Sequence, residues 1–132
     1  MALSVQEVIS ITRQEVGDQP AVLARVFKEL DGQVSDLAKQ MAARRTNRVA
    51  TLGSGDSWFA AQIVPLAFQR YAGVAAETYQ AYEYATYGQK QVDAQTTLFV
   101  LSSSGRPTTT WDALDRALAT PALTVGVSDK RY

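Results

Sequence analysis

Four short apolar runs alternate with segments of helical character from residue 48 onward in this sequence. The runs are RVATLG, VAAETYQ, TTLFVLS and ALTVGVS, at residues 48–53, 74–80, 96–102 and 122–128. Nearly continuous apolar strands separated by helices are typical of a parallel sheet that is covered on both faces. We therefore expect an α/β fold, a three-layer α-β-α sandwich with right-handed crossovers and the flavodoxin-like strand order 2-1-3-4.

The segment before the first run is expected to be helical. Residues 3–16 have a loose apolar face, and GDQP at 17–20 predicts a break before a second helix. The second helix carries one narrow apolar stripe, which fits either packing within the chain or a seam for a partner subunit. Its members are Leu23, Phe27, Leu30, Val34, Leu37 and Met41. We expect residues 1–46 to form a helical segment and residues 47–132 to form the α/β domain.

Two details are expected in the helices between the strands. Pro65 lies inside the helical segment 57–73, where it should kink the helix or remove one hydrogen bond. Thr109 and Asp112 have the spacing of a capping box at the start of the helix 109–119.

The composition excludes several classes of site. The chain has 132 residues with 13 basic and 13 acidic side chains, and this balance argues against a nucleic-acid surface. It has no Cys and no His, which excludes disulfides, thiol nucleophiles and Cys/His zinc sites. Any proton transfer must therefore use Asp, Glu, Lys, Tyr or a group from another chain.

Nothing in the sequence indicates a membrane or an exported protein. No apolar run approaches the roughly 20 residues that a transmembrane helix needs. The N-terminus MALSVQEVIS lacks the features of a signal peptide. We expect a cytoplasmic protein without a membrane partner.

Glycine and hydroxyl side chains follow the first and third runs. The first loop is GSGDS, residues 53–57, and the second loop is SSSGRPT, residues 102–108. In the order 2-1-3-4 these strands are neighbours, so both loops should open onto the crevice where such sheets bind ligands. Each loop leads into a helix N-terminus, which favours an anion, and hydroxyls add neutral donors. The pattern predicts an anion site that needs no Lys or Arg.

Other interpretations of the loops remain open. Gly53 and Gly55 match the first two glycines of the dinucleotide-binding fingerprint G-x-G-x-x-G. Trp58 stands at the third glycine position, which disfavours a dinucleotide site. A Walker loop is excluded because the chain has no G-K-[ST]. Ser and Thr also cap helices and complete loops without binding anything.

The ordered motifs GSGDSWFAA, AYEYATY, LFVLSSSGRPTTTWDAL and LTVGVSD resemble the SIS (sugar isomerase) domain, over about residues 47–129. The nearest kind is the isomerase domain of glucosamine-6-phosphate synthase and related phosphosugar isomerases. The resemblance implies that both loops hold the phosphate of a phosphosugar. Glu83 matches an acidic residue of the family and is the candidate base; the alternative is that it accepts hydrogen bonds from loop N–H groups or hydroxyls and fixes the wall of the crevice. The implied phosphosugar-binding residues are Gly53, Ser54, Gly55, Asp56, Ser57, Ser102, Ser103, Ser104, Gly105 and Thr108.

The resemblance also implies a function. The chain would be the phosphosugar-binding domain of a sugar-phosphate isomerase or aminosugar-phosphate enzyme, with fructose-6-phosphate or glucosamine-6-phosphate as ligand. The alternative is a regulatory module that senses a phosphosugar without converting it. We expect no cofactor and no metal. We expect the chain to form a homodimer or a higher homo-oligomer. SIS domains usually continue past VGVSD, so the chain resembles an incomplete domain that would be inactive alone.

Overall fold

The computed structural model describes residues 4–128. The chain divides into two compact units, Met1–Lys39 and Gln40–Tyr132. One long helix, α1 (Val5–Ala43), forms the first unit and extends by four residues into the second. A capping box opens this helix, since Ser4 Oγ accepts from the Glu7 amide at 3.3 Å and the Ser4 amide donates to Glu7 Oε2 at 2.7 Å. The hydrogen bonds from Ser4 lower the pKa of the Glu7 carboxyl.

Helix α1 continues through GDQP, so the break predicted at residues 17–20 is wrong. Pro20 has no N–H, and the Val16 carbonyl therefore lacks its helical donor. Both residues are exposed, so solvent can hydrogen-bond that carbonyl and the interruption costs less than it would in a core. None of the helices in the described part of the chain is long and apolar enough to cross a membrane.

The second unit is built on four parallel strands, β1 (Arg48–Gly53), β2 (Ala75–Gln80), β3 (Thr96–Leu101) and β4 (Leu123–Val127). Their order in the sheet is β2-β1-β3-β4, which confirms the expected topology. Leu52 of β1 pairs with Val100 of β3, so these strands end side by side.

Helical segments connect the strands. Between β1 and β2 lie α2 (Asp56–Ala61), α3 (Val64–Ala67) and a π-helical turn, Phe68–Ala72. Between β2 and β3 lie α4 (Ala81–Glu83), a second π-helical turn, Tyr84–Gly88, and a short 3₁₀ turn, Gln89–Gln91. Helix α5 (Thr108–Leu118) joins β3 to β4.

The helix that the sequence predicts over residues 57–73 is interrupted between α2 and α3, and Pro65, which has no N–H to donate back along the helix, lies at the start of α3. The residue four positions earlier is Ala61, whose carbonyl accepts from the hydroxyls of Thr51 and Thr78 at 3.3 and 3.2 Å. These two threonines face each other on paired strands, with their oxygens 2.8 Å apart. The sheet thus supplies the donors that the proline removes from the helix.

Helix α5 starts without the predicted capping box. Pro107 is the N-cap residue, and no side chain caps the helix. Thr109 instead places its hydroxyl 2.9 Å from Ser54 Oγ, outside the helix. The predicted cap is wrong because Thr109 lies within the first turn rather than before it.

The core lies between the sheet and the helices α4 and α5. Tyr84 is its largest fully buried side chain. The Tyr84 hydroxyl has no hydrogen-bond partner among the described residues, and burial raises the Tyr84 pKa to about 12. The other buried members are Ala50, Leu52, Ala81, Ala85, Leu98, Val100, Ala113 and Ala117.

Candidate functional site

The two glycine- and hydroxyl-rich loops lie together at the C-terminal edge of the sheet. The backbone N–H of Ser103 in the second loop donates to Ser57 Oγ in the first loop, at 3.3 Å. This contact follows from the topology, because β1 and β3 pair directly and end at the same edge. The structure therefore brings together the two segments that the sequence singled out.

Glycine is required in the first loop for reasons of space and backbone conformation. A Cβ on Gly53 would lie 2.8 Å from the backbone carbon of Ser57 and the backbone nitrogen of Trp58. Gly55 has a φ of 56°, in the left-handed region that favours glycine. Its carbonyl accepts from the amides of Trp58 and Phe59 at 3.0 and 3.2 Å, which starts α2. Gly53 thus lets the first turn of α2 approach the end of β1.

Serine hydroxyls order the second loop. Ser102 Oγ accepts from the Gly105 amide at 2.9 Å, and Ser104 Oγ accepts from the Arg106 amide at 3.4 Å. Gly105 has a φ of 63°, so the chain turns there in a conformation that suits glycine. The amides of Gly105 and Arg106 therefore donate to hydroxyl oxygens of the same loop, and the Ser103 amide donates to Ser57 Oγ. The Ser102 amide instead donates to the Val127 carbonyl at 2.9 Å.

These contacts decide which groups could bind an anion. Ser57 and Ser102 each accept a backbone N–H through their oxygen, and a hydroxyl keeps its own hydrogen for donation. At the start of α5, the amides of Thr110 and Trp111 both donate to the Pro107 carbonyl. Among the residues that the structure describes, the two preceding amides of the helix, those of Thr108 and Thr109, have no acceptor.

Ser54 differs from the other loop serines. Its oxygen lies 2.9 Å from Thr109 Oγ1 and accepts from Thr110 Oγ1 at 3.2 Å. Both partners are on the first turn of α5, so Ser54 joins the first loop to this helix. The resemblance implied that Ser54 binds the ligand, whereas the structure gives its hydroxyl two partners within the protein.

Trp111 is a contact of the second loop that the sequence interpretation missed. Its indole Nε1 donates to the Gly105 carbonyl at 2.8 Å. The residue lies one turn into α5 and is half-exposed. Its only signal in the sequence is its place in TTTW, directly after the second loop, and this pattern does not specify a side-chain contact.

The charged residues around the loops are exposed. Asp56 begins α2 and Arg106 lies in the second loop, and both are open to solvent. Glu83, the candidate base, is exposed in α4, which follows β2 at the same edge of the sheet. Within the described part of the chain, no hydrogen bond or ion pair joins the Glu83 carboxylate to either loop. Hydrogen bonds thus link the two predicted loops to each other, and none links the Glu83 carboxylate to them in the described part of the chain.

A cavity of about 220 Å³ lies next to the second loop. Ser102 and Gly105 line one part of it, and Trp111, Leu114 and Val127 line another. No residue of the first loop is among its lining residues, so this cavity lies between α5 and β4 rather than between the two loops.

The comparisons with solved structures identify the fold. A tagatose-6-phosphate ketose/aldose isomerase from Escherichia coli matches with a TM-score of 0.73 and 18% identity, over 89% of this chain and 34% of that one. A glucosamine-6-phosphate deaminase from Thermotoga maritima matches with a TM-score of 0.68 and 24% identity, over 89% and 34%. The C-terminal domain of a glucosamine-fructose-6-phosphate aminotransferase from Francisella tularensis matches with a TM-score of 0.63 and 20% identity, over 72% and 27%.

These likenesses confirm the resemblance to the SIS domain at the level of the fold. The chain spans about a third of the length of the two isomerase and deaminase structures. No protein-family model and no curated protein matches the sequence.

Proposed function

We propose that this chain, which has the fold of the SIS-type phosphosugar isomerases, binds the phosphate group of a phosphosugar between its first and second loops. The observation that carries the proposal is the hydrogen bond from the Ser103 amide to Ser57 Oγ at 3.3 Å. It shows that hydroxyl-bearing turns from two neighbouring strands meet at one place. An anion at this place would receive donors from both loops at once.

Neutral donors account for the affinity in this proposal. Ser57 and Ser102 donate their hydroxyl hydrogens, and the amides of Thr108 and Thr109 add the positive end of the α5 dipole. The amides that donate to the two serine oxygens polarise these hydroxyls and strengthen them as donors. Arg106 is the cation of the second loop, and its exposed side chain adds a screened charge.

The sugar moiety distinguishes a phosphosugar from free phosphate. Asp56 lies beside Ser57 at the start of α2, and its exposed carboxylate is an acceptor for sugar hydroxyls. A carboxylate repels a phosphate, so we place Asp56 on the sugar side of the ligand. Fructose-6-phosphate and glucosamine-6-phosphate are the ligands that we propose to test first.

Titration calorimetry tests the proposal directly. The chain is titrated with fructose-6-phosphate and glucosamine-6-phosphate, and in parallel with fructose, glucosamine and inorganic phosphate. We expect saturable binding of at least one phosphosugar, weaker binding of phosphate and none of the unphosphorylated sugars. Equal heats for a phosphosugar and its unphosphorylated form would contradict the proposal.

We further propose that the described residues bind the sugar phosphate without converting it. The chain has no His, and the Glu83 carboxylate is exposed and joined to neither loop in the described part of the chain. An aldose–ketose isomerisation needs a base positioned to move a proton between C1 and C2. In deuterated water, we expect no deuterium at C1 of fructose-6-phosphate, the carbon that would lose its proton to form an enediol. Incorporation that Glu83→Gln abolishes would instead support Glu83 as the base and the chain as an enzyme.

A homo-oligomer formed through α1 is part of the proposal. Helix α1 has no buried residue, and four members of its apolar stripe are exposed by 41–75%. These members are Leu23, Phe27, Leu30 and Val34. Their alternating spacing of four and three residues is that of a two-helix seam, so a second copy of α1 is the partner that fits best. The cytoplasmic location stays a prediction.

A further inference from the structure

We propose that Trp111 is a positioning residue for the phosphate-binding loop. Its indole N–H holds the Gly105 carbonyl and thereby keeps Ser102 and Ser104 in place to meet an anion. The inference rests on the proposed function for what the loop binds, while the ordering of the loop stands on the contacts alone. Trp111 itself is not proposed to touch the ligand.

Gly105 is held at both of its polar groups. Its amide donates to Ser102 Oγ at 2.9 Å, and its carbonyl accepts from Trp111 Nε1 at 2.8 Å. These bonds fix the two peptide planes on either side of a residue whose φ is 63°. Because glycine has wide conformational freedom, the turn would otherwise sample several conformations. The Trp111 bond therefore reduces the entropy that ligand binding would have to remove.

Trp111 is carried by a helix that packs into the core. Its helix buries Ala113 and Ala117 completely in the core. The residues before Trp111 hold the first loop, since the hydroxyls of Thr109 and Thr110 contact Ser54. The first turn of α5 therefore holds both loops, the first through Ser54 and the second through Gly105.

Burial does not explain this tryptophan. The residue is 48% exposed, so much of its area gains nothing from leaving water. Its N–H, in contrast, has a short bond to a loop carbonyl. A change that removes the N–H and keeps an aromatic ring should therefore affect the loop and leave the core intact.

The test compares Trp111→Phe with Trp58→Phe, which removes the other tryptophan of the chain. Trp58 lies in α2, and its ring contacts Phe59 at 4.8 Å between centroids. Each full-length variant is measured for thermal unfolding, for amide hydrogen exchange over residues 102–107 and for fructose-6-phosphate affinity. Trp111→Phe removes one hydrogen bond between two uncharged groups, the indole N–H and the Gly105 carbonyl. We therefore expect it to weaken binding about five- to tenfold.

The exchange readout separates this inference from the proposed function. We expect faster exchange at Gly105 and Arg106 in Trp111→Phe than in Trp58→Phe, with equal unfolding temperatures. This expectation holds even if the parent chain binds no phosphosugar, in which case the proposed function fails and the ordering role stands. Unchanged exchange in Trp111→Phe would overturn the inference. The inference would also be overturned if Trp111→Phe lowered the unfolding temperature and lost exchange protection to the same extent throughout the chain. That result would indicate a purely structural residue.

Discussion

Ser57 Oγ accepts a hydrogen bond from the backbone N–H of Ser103 at 3.3 Å, across 46 positions of sequence. Two loops that leave neighbouring strands are thereby joined by one hydroxyl. The oxygen is occupied as an acceptor, which directs the remaining hydrogen of the hydroxyl toward another acceptor. An anion between the loops is the acceptor that the proposed function supplies.

Ser57→Ala is expected to weaken phosphosugar binding about tenfold. The change removes one hydroxyl donor to a charged group, a contact that contributes about 1.5–3 kcal/mol, and the loss is partly offset by solvent. Titration calorimetry with fructose-6-phosphate measures the effect. Ser35→Ala, at an exposed position in α1, is the matched control and should bind as the parent does. Identical affinities of the two variants would remove Ser57 from the site.

Gly53→Ala is expected to destabilise the second unit by about 1–3 kcal/mol, as overpacking does elsewhere. The new Cβ would lie 2.8 Å from backbone atoms of Ser57 and Trp58, which cannot move without shifting α2. Urea unfolding provides the measurement. Gly126→Ala is the control, because a Cβ there meets nothing within 4 Å. If both variants unfold at the same urea concentration, the close approach of α2 to Gly53 is not a constraint.

Tyr84→Phe is expected to stabilise the chain by about 1 kcal/mol. The change removes a buried hydroxyl that has no hydrogen-bond partner among the described residues, and such a group carries a desolvation cost. Urea unfolding at neutral pH checks the prediction. Tyr82→Phe is the control and should have no effect, because Tyr82 is 60% exposed. A loss of stability in Tyr84→Phe would show that the hydroxyl is bonded after all.

The same tyrosine predicts a pH dependence. Burial raises the Tyr84 pKa to about 12 in the folded chain, above the value of about 10 for an unfolded tyrosine. Between these values the unfolded chain loses the proton first, so stability falls as the pH rises from about 10 to about 12. Below about pH 10, Tyr84 is protonated in both states and does not make the free energy of unfolding depend on pH. We expect Tyr84→Phe to reduce this alkaline loss, and an identical loss in parent and variant would assign it to other groups.

Phe27→Glu is expected to dissociate the oligomer proposed for α1. Phe27 is 75% exposed in the single chain and lies in the apolar stripe, where a buried charge would be costly. Sedimentation equilibrium measures the mass of each species. Ala21→Glu adds the same charge to an exposed position of α1 outside the stripe and should leave the mass unchanged. A parent chain that stays monomeric at every concentration would refute the oligomer.

Periodic patterns predicted the sheet and its order. The apolar run 48–53 coincides with β1 at both ends, and the run 96–102 exceeds β3 by a single residue. The order 2-1-3-4 followed from strand–helix alternation together with the handedness of crossovers. Because this order makes β1 and β3 neighbours, the meeting of the two loops could also be anticipated.

What the patterns could not supply depends on three-dimensional contact. GDQP has the composition of a break, yet α1 continues because exposure makes the missing hydrogen bond of Pro20 inexpensive. The bond from Trp111 to Gly105 requires the left-handed turn at Gly105 and one particular direction of the indole. The pairing of Ser54 with the first turn of α5 likewise requires the packed helix. A sequence shows that hydroxyls are present, but it does not show which of them form hydrogen bonds within the protein.

Amide chemical shifts during a titration with fructose-6-phosphate test the central claim most directly. We expect the amides of residues 53–57 and of residues 102–109 to shift together, along one saturation curve, while fructose leaves both loops unchanged. Shifts confined to one loop, or to a surface elsewhere such as Lys90 and Arg116, would contradict it.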